Sequence, residues 1–298
     1  MIQINYEKPT VFGHHRDGWA AATRELQKIH NPYGVKLYDW ADRVFKDNVT
    51  IDHPWCGFLH NVLSYPKEYP QKYTGRIYPI SQLVQKKFFQ QSLKKCEGLY
   101  TLSKHVAGFL ERTTDTRVVS FTHPTAKADK LFDCEAYQQF DKKVVTIGQW
   151  LRKYHSIYHL ETTHKKMMLR IDAFCLDYKE MQNYTSGKND VTILPYLSNQ
   201  EYDNLLSNCV VFLDLYDCSA CNVVLECIAR TTPILINILP GTVEHLGPNY
   251  PLYYENLEEA SQKLQDETIV LKAHNYIKNM DKTKIDPAHF LNDFMSRT

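Results

Sequence analysis

Short apolar runs alternate with helical patterns along this chain, stop at a polar stretch, and then alternate again, which predicts an α/β protein with two lobes. The length, 298 residues, suits two cores of about 100 to 200 residues each better than one. Two successive units of comparable size without a shared repeat point to two Rossmann-like lobes facing each other across a cleft.

In the first half, residues 10–12 read as a strand, 17–29 as a helix, and 34–38 and 55–60 as further strands. A proline- and tyrosine-rich loop, 66–79, precedes an amphipathic helix at 83–93. Strand 98–102, helix 104–112 and strand 118–122 follow, the last ending at His123 and Pro124. The polar stretch 127–143 has little apolar periodicity and reads as a linker, dividing an N-terminal lobe, 1–126, from a C-terminal lobe, 144–298. The second series comprises strand 144–147, a long mixed segment, strand 191–194, helix 199–207, strand 210–215, helix 222–230 and strand 233–237. A final helix near 287–295 is expected to return to the first lobe.

Charge and composition narrow the function. Lysine plus arginine number 35 against 34 acids, so no field of one sign is available to hold a nucleic acid. Apolar residues at 43 %, with four tryptophans and twenty tyrosines, support sizeable cores and argue against disorder. The most apolar stretches, 210–215 and 233–240, are too short to span a bilayer, and no basic-then-apolar leader opens the sequence. A cytoplasmic protein without a transmembrane segment is expected, peripheral to a membrane if what it acts on is lipid-linked. The eight cysteines are scattered beside apolar runs, as reduced buried thiols are. Cys218 and Cys221 form one C-x-x-C, which lacks the second pair or nearby histidine of a zinc site.

Ligands of doubly wound sheets bind at the carboxyl ends of the strands, and this rule selects the loops that matter. After strand 210–215 the chain reads Asp217-Cys218-Ser219-Ala220-Cys221-Asn222 and enters a helix carrying Glu226. Small residues at Ser219 and Ala220 let backbone amides approach a ligand, and helix N–H groups near Asn222 suit a phosphate. Glu226 could accept hydrogen bonds from ribose hydroxyls, or could equally be an acid favoured by the helix dipole. After strand 144–147, Gly148 is followed by Arg152 and Lys153, which bring positive charge to the same sheet edge for a diphosphate. In the first lobe, His14, His15 and Asp17 cluster in one loop and His60 ends another strand. A histidine there could take a proton from a substrate hydroxyl, with Asp17 fixing its tautomer. Glu244, beyond the Pro240-Gly241 turn, could touch sugar hydroxyls or could be an ordinary helix acid.

The stretch D-C-S-A-C-N-V-V-L-E-C-I-A-R-T-T-P-I-L-I-N-I-L-P-G-T-V-E-H-L-G, with Gly148 and its cations upstream, resembles the donor domain of GT-B glycosyltransferases of the large, mostly retaining, family-four type. F-G-H-H-R-D-G-W stands where that family has an acceptor-side loop, F-L-H-N where it often carries H-D, and G-L-Y-T-L-S-K-H-V with F-T-H-P-T resemble the closing strands of its acceptor domain. The resemblance implies transfer of a hexose or deoxyhexose from a UDP- or GDP-sugar co-substrate to a hydroxyl of an oligosaccharide or glycan, with no metal or other cofactor. It implies that Glu226 binds the donor ribose and that Arg152 and Lys153 bind the diphosphate. The first acid of the family's pair falls at Cys218, and Asp217 beside it is the acid on offer near the transferred sugar. The resemblance leans toward retention, and inversion through a histidine base stays open. A nucleotide-sugar epimerase and a catalytically inactive carbohydrate-binding homologue are the alternatives on the same fold. A dinucleotide oxidoreductase is disfavoured, since no G-x-G-x-x-G follows a strand.

Overall fold

The structure is a computed structural model that describes residues 2–8, 18–69, 74, 76–148, 150–169 and 190–298. Its contacts divide the chain into two compact units, one of 1–126, 217–222 and 283–298, the other of 127–216 and 223–282.

The first unit opens with β1 (Ile4–Asn5), α1 (Trp19–Gln27), β2 (Val35–Tyr38), α2 (Ala41–Phe45) and β3 (Trp55–Leu59). It continues through α3 (Ile80–Leu83), α4 (Lys87–Leu93), β4 (Cys96–Thr101), α5 (Lys104–Thr113) and β5 (Val118–Ser120). The five strands pair in parallel in the order β1-β2-β3-β4-β5. Such a sheet is covered on both faces, so its central strand is apolar throughout, and Trp55–Leu59 is buried at every position. Side chains alternate between the faces with a period of two. Trp55 and Leu59 join Phe45, Leu83, Phe89 and Leu99 on one side. Cys56 and Phe58 join Trp19, Tyr100 and Phe121 on the other, together with Phe290 and Phe294 from the last helix, Pro287–Arg297. That helix starts cleanly because Asp286 caps it, accepting from the Ala288 and His289 amides, and Pro287 occupies a position that needs no N–H. It therefore belongs to the first unit.

The second unit contains α6 (Cys134–Gln139), β6 (Lys143–Thr146), α7 (Ser156–His159), β7 (Lys165–Leu169), β8 (Val191–Leu194), α8 (Asn199–Leu206) and β9 (Val210–Leu213). Then come α9 (Asn222–Arg230), whose first residue falls with the first unit, β10 (Ile234–Asn237), α10 (Pro240–Leu246), β11 (Tyr253–Tyr254), α11 (Leu257–Gln265) and α12 (Glu267–Lys278). Its six strands are parallel in the order β11-β10-β9-β6-β7-β8. From β6 the chain builds outward through β7 and β8, then returns to the other side of β6 and builds outward again through β9, β10 and β11. The strand order thus reverses between β6 and β9.

Several elements differ from expectation. The expected strand 10–12 lies outside the described residues, and the first described strand is β1. The helix expected over 83–93 is two helices, because Lys86 is extended (φ −78°, ψ 130°). Residues 127–143, expected as a linker, carry α6 and belong to the second unit. Asp133 caps α6 by accepting from the Ala136 amide at 2.9 Å, and Tyr137 is buried. The mixed segment before β8 holds α7 and β7. Among the described residues no helix is long and apolar enough to cross a membrane, and no cluster of three metal-ligating side chains occurs.

A buried ion pair joins α8 to α9. Asp203 Oδ1 lies 2.9 Å from Arg230 Nε and 2.8 Å from its second nitrogen, with side-chain exposures of 6 % and 3 %. Removing one member leaves the other charge without its partner, so Asp203→Ala is expected to destabilise the protein by about 3–5 kcal/mol. Denaturant unfolding measures this; a loss below about 1 kcal/mol, the level of an exposed pair, would show that the pair is solvated.

Candidate functional site

The reversal of strand order between β6 and β9 marks the edge where doubly wound sheets bind ligands. The loop after β6 is shaped for that edge. Gly148 has φ +90°, a region favouring glycine, and a Cβ there would lie 3.1 Å from the Arg152 guanidinium. Leu151, at φ +58°, completes a reversal that lays the loop across the end of β9. There the Tyr216 amide donates to Leu151 O at 2.9 Å, the Lys153 amide donates to Asp214 O at 2.8 Å, and Arg152 bridges antiparallel to Leu215. The end of β10 joins them: Asn237 accepts from the Leu215 amide at 2.8 Å and donates to its carbonyl at 3.0 Å.

The charged groups are held by this scaffold. Lys153 Nζ lies 3.1 Å from Asp214 Oδ1 and 5.6 Å from the centre of the Tyr216 ring, and a third of its side chain stays exposed. Asp214 also accepts from the Ser156 hydroxyl at 2.6 Å. Arg152 donates to the carbonyls of Ile147 at 3.3 Å and Trp150 at 2.8 Å, so its guanidinium stiffens its own loop. Glu226 is in the second turn of α9 and is buried, with its Oε2 accepting from the Tyr202 hydroxyl.

The remaining loop residues belong to the first unit. Ser219 donates from its hydroxyl to His60 O at 2.7 Å, Ala220 packs against the apolar core, and the Asn222 amide fills the space beside Gly18. A Cβ on Gly18, which has φ +43°, would meet Asn222 Nδ2 at 2.4 Å. Asp217 accepts from the Cys218 amide at 2.7 Å, and burial raises its carboxyl pKa against the pull of Cys218 and His105. His60, just past β3, is 2.7 Å from Asp39 O through Nε2; a carbonyl only accepts, so Nε2 carries the proton. Its backbone amide donates to Asp42 at 2.8 Å, and its ring meets Trp19 edge-on at 4.7 Å.

His60 and Ser219, separately placed by sequence, are therefore direct partners, and Gly148, Arg152 and Lys153 share one loop. Glu244 lies half-buried in α10. His14, His15 and Asp17 lie outside the described residues. Asp214 gives no local signal because it sits inside a run that is otherwise apolar, and the same holds for Asn237. Tyr202 had no local signal at all.

Burial pushes the His60 imidazole down to about 4 and the Asp42 carboxyl up to about 7. A histidine with a lowered folded pKa contributes stability that is present above about 6.5 and lost as pH falls through about 4. Asp42 acts in the opposite sense: its contribution is present below about 4 and lost as pH rises through about 7. His60→Gln removes one of these opposed slopes. Wild-type stability relative to this variant is expected to decline from pH 7 to pH 4 in denaturant titrations, and a constant difference would contradict a neutral His60.

No family model and no curated protein matches the chain. Among solved structures it is similar to a sucrose-phosphate synthase from Thermosynechococcus elongatus, with TM-score 0.65 and 10 % identity over 88 % of this chain and 71 % of that one. It is also similar to Anabaena HepE in complex with UDP and glucose, with TM-score 0.58 and 12 % identity over 82 % of this chain and 71 % of that one. A UDP-forming α,α-trehalose-phosphate synthase from Burkholderia xenovorans matches with TM-score 0.54 and 12 % identity over 93 % of this chain and 77 % of that one. At these identities the likeness is one of fold: the chain has the two-domain, Rossmann-like GT-B fold.

Proposed function

We propose that the chain is a glycosyltransferase that moves a hexose or deoxyhexose from a UDP- or GDP-sugar to a hydroxyl of an oligosaccharide or glycan acceptor, without a metal. The observation that carries this reading is the strand-order reversal between β6 and β9, occupied by Gly148 at φ +90° with Arg152 and Lys153 beside it. The likeness in fold to HepE, whose structure holds UDP and glucose, and to a UDP-forming synthase supports it.

In this reading the diphosphate lies over the Gly148 loop, where the missing side chain lets backbone approach the phosphate oxygens. Lys153, held by Asp214, supplies the charge that takes up the electron pair's new location as the bond from the anomeric carbon to phosphate oxygen breaks. The acceptor oxygen forms the new bond, and its proton passes either to a base such as His14 or His15, with inversion, or to the departing phosphate, with retention. Asp217 is assigned to the transferred sugar and Glu226 to the ribose, with Tyr202 orienting the Glu226 carboxylate from its buried side.

Calorimetric titration with UDP-glucose and GDP-mannose tests the donor site. One of these donors is expected to bind, and Glu226→Gln, which keeps an acceptor for Tyr202, is expected to weaken it by about 1.5–3 kcal/mol without unfolding the protein. Unchanged affinity in that variant would remove Glu226 from the donor site. Release of nucleoside diphosphate in the presence of a glycan acceptor is expected to persist in EDTA; its abolition, with rescue by manganese, would overturn the metal-free mechanism.

A further inference from the structure

A hollow of about 300 Å³ opens in the first unit beside β2 and α2, and four cations line it: Lys8, Lys36, Arg43 and Lys46. The chain as a whole is nearly balanced, with 35 basic and 34 acidic residues, so four positive charges around one small hollow form a local concentration. Some lysines of the chain are neutralised by carboxylates, as Lys28 is by Glu25, Lys142 by Glu267, Lys153 by Asp214 and Lys263 by Glu259. Among the described residues none of these four cations pairs with an acid.

The acid in the wall does not cancel them. Asp39, which is buried and accepts the Tyr6 hydroxyl at 2.8 Å, is one carboxylate against four cations. Trp40 and Tyr38 add aromatic surface, and the Arg43 guanidinium lies 5.3 Å from the centre of the Trp40 ring, which fixes its position. A rigid guanidinium with three lysines fits the tetrahedral, doubly charged oxygens of a phosphate ester, and the aromatic wall fits the carbon skeleton that carries it. The hollow is also joined to His60, which is 2.7 Å from Asp39 O and whose ring centre is 6.1 Å from that of Trp40.

We propose that this hollow binds the phosphate group of a phosphate-bearing acceptor, whose carbohydrate end then extends toward His60. The assignment deepens the transferase reading and rests on it for the word acceptor. Such a phosphate reaches the site on a soluble sugar phosphate or on a phospholipid-anchored saccharide, and the two sources are separable.

The test uses the full chain, titrated with glucose 6-phosphate, inorganic phosphate and UDP-glucose, and floated with vesicles of phosphatidylcholine with and without phosphatidylglycerol. Glucose 6-phosphate is expected to bind, more weakly as salt is raised, with Lys36→Gln and Arg43→Gln each reducing affinity about tenfold and leaving UDP-glucose affinity and the unfolding midpoint unchanged. Flotation that requires phosphatidylglycerol and is lost in the same variants would support the site and assign the phosphate to a membrane. Binding of neither glucose 6-phosphate nor anionic vesicles, or binding that the variants do not change, overturns the proposal. If UDP-glucose still binds in that case, the donor reading survives. Phosphate binding without any nucleotide-sugar binding would instead sink the transferase reading and keep the anion site.

Discussion

The backbone strap between residues 151–153 and 214–216 is the constraint on which the donor-side geometry depends. Peptide groups at the end of a buried strand must find partners once the sheet ladder stops. Here they find them in a loop that turns back on itself, which requires left-handed backbone at both Gly148 and Leu151. The leucine bears a cost of about 1–2 kcal/mol for that conformation, and two inter-loop hydrogen bonds offset it. The ends of β6, β9 and β10 are thereby locked together, and Lys153 is delivered to Asp214 as a by-product of satisfying the backbone.

The carboxyl edge of the first sheet is organised on different terms. Its central acid and base, Asp42 and His60, are driven toward their neutral forms by burial, one upward and one downward. Fixed charge collects instead around the hollow of Lys8, Lys36, Arg43 and Lys46. A neutral imidazole next to a cationic recess separates the group able to exchange a proton from the groups able to hold an anion.

What sequence could show follows from the same physics. β3 and β9 are buried throughout, so they appear as unbroken apolar runs and are easily found. β7 begins with two lysines and hides: Lys166 is buried by donating to Tyr158 O and Leu160 O and pairing with Asp190, none of which local composition signals. The glycine-and-cation loop was legible because its spacing is local. The partnership of Ser219 with His60 spans 159 positions, and that of Tyr202 with Glu226 spans 24. Residues 127–143 look like a linker because most of them are polar and show no period, while their burial rests on two rings, Phe132 and Tyr137.

Residues 1–126 and 283–298 share one core, and that has a consequence for biosynthesis. A nascent chain emerges from its amino end, yet the apolar face bearing Trp19, Phe58 and Phe121 is closed by Phe290 and Phe294. The ordinary rule that the leading domain folds while the rest is still being made does not serve this topology. Until the helix Pro287–Arg297 leaves the ribosome, that face stays open to solvent and to chaperones, and the slow, long-range closure that completes it comes only after the whole second unit has been translated.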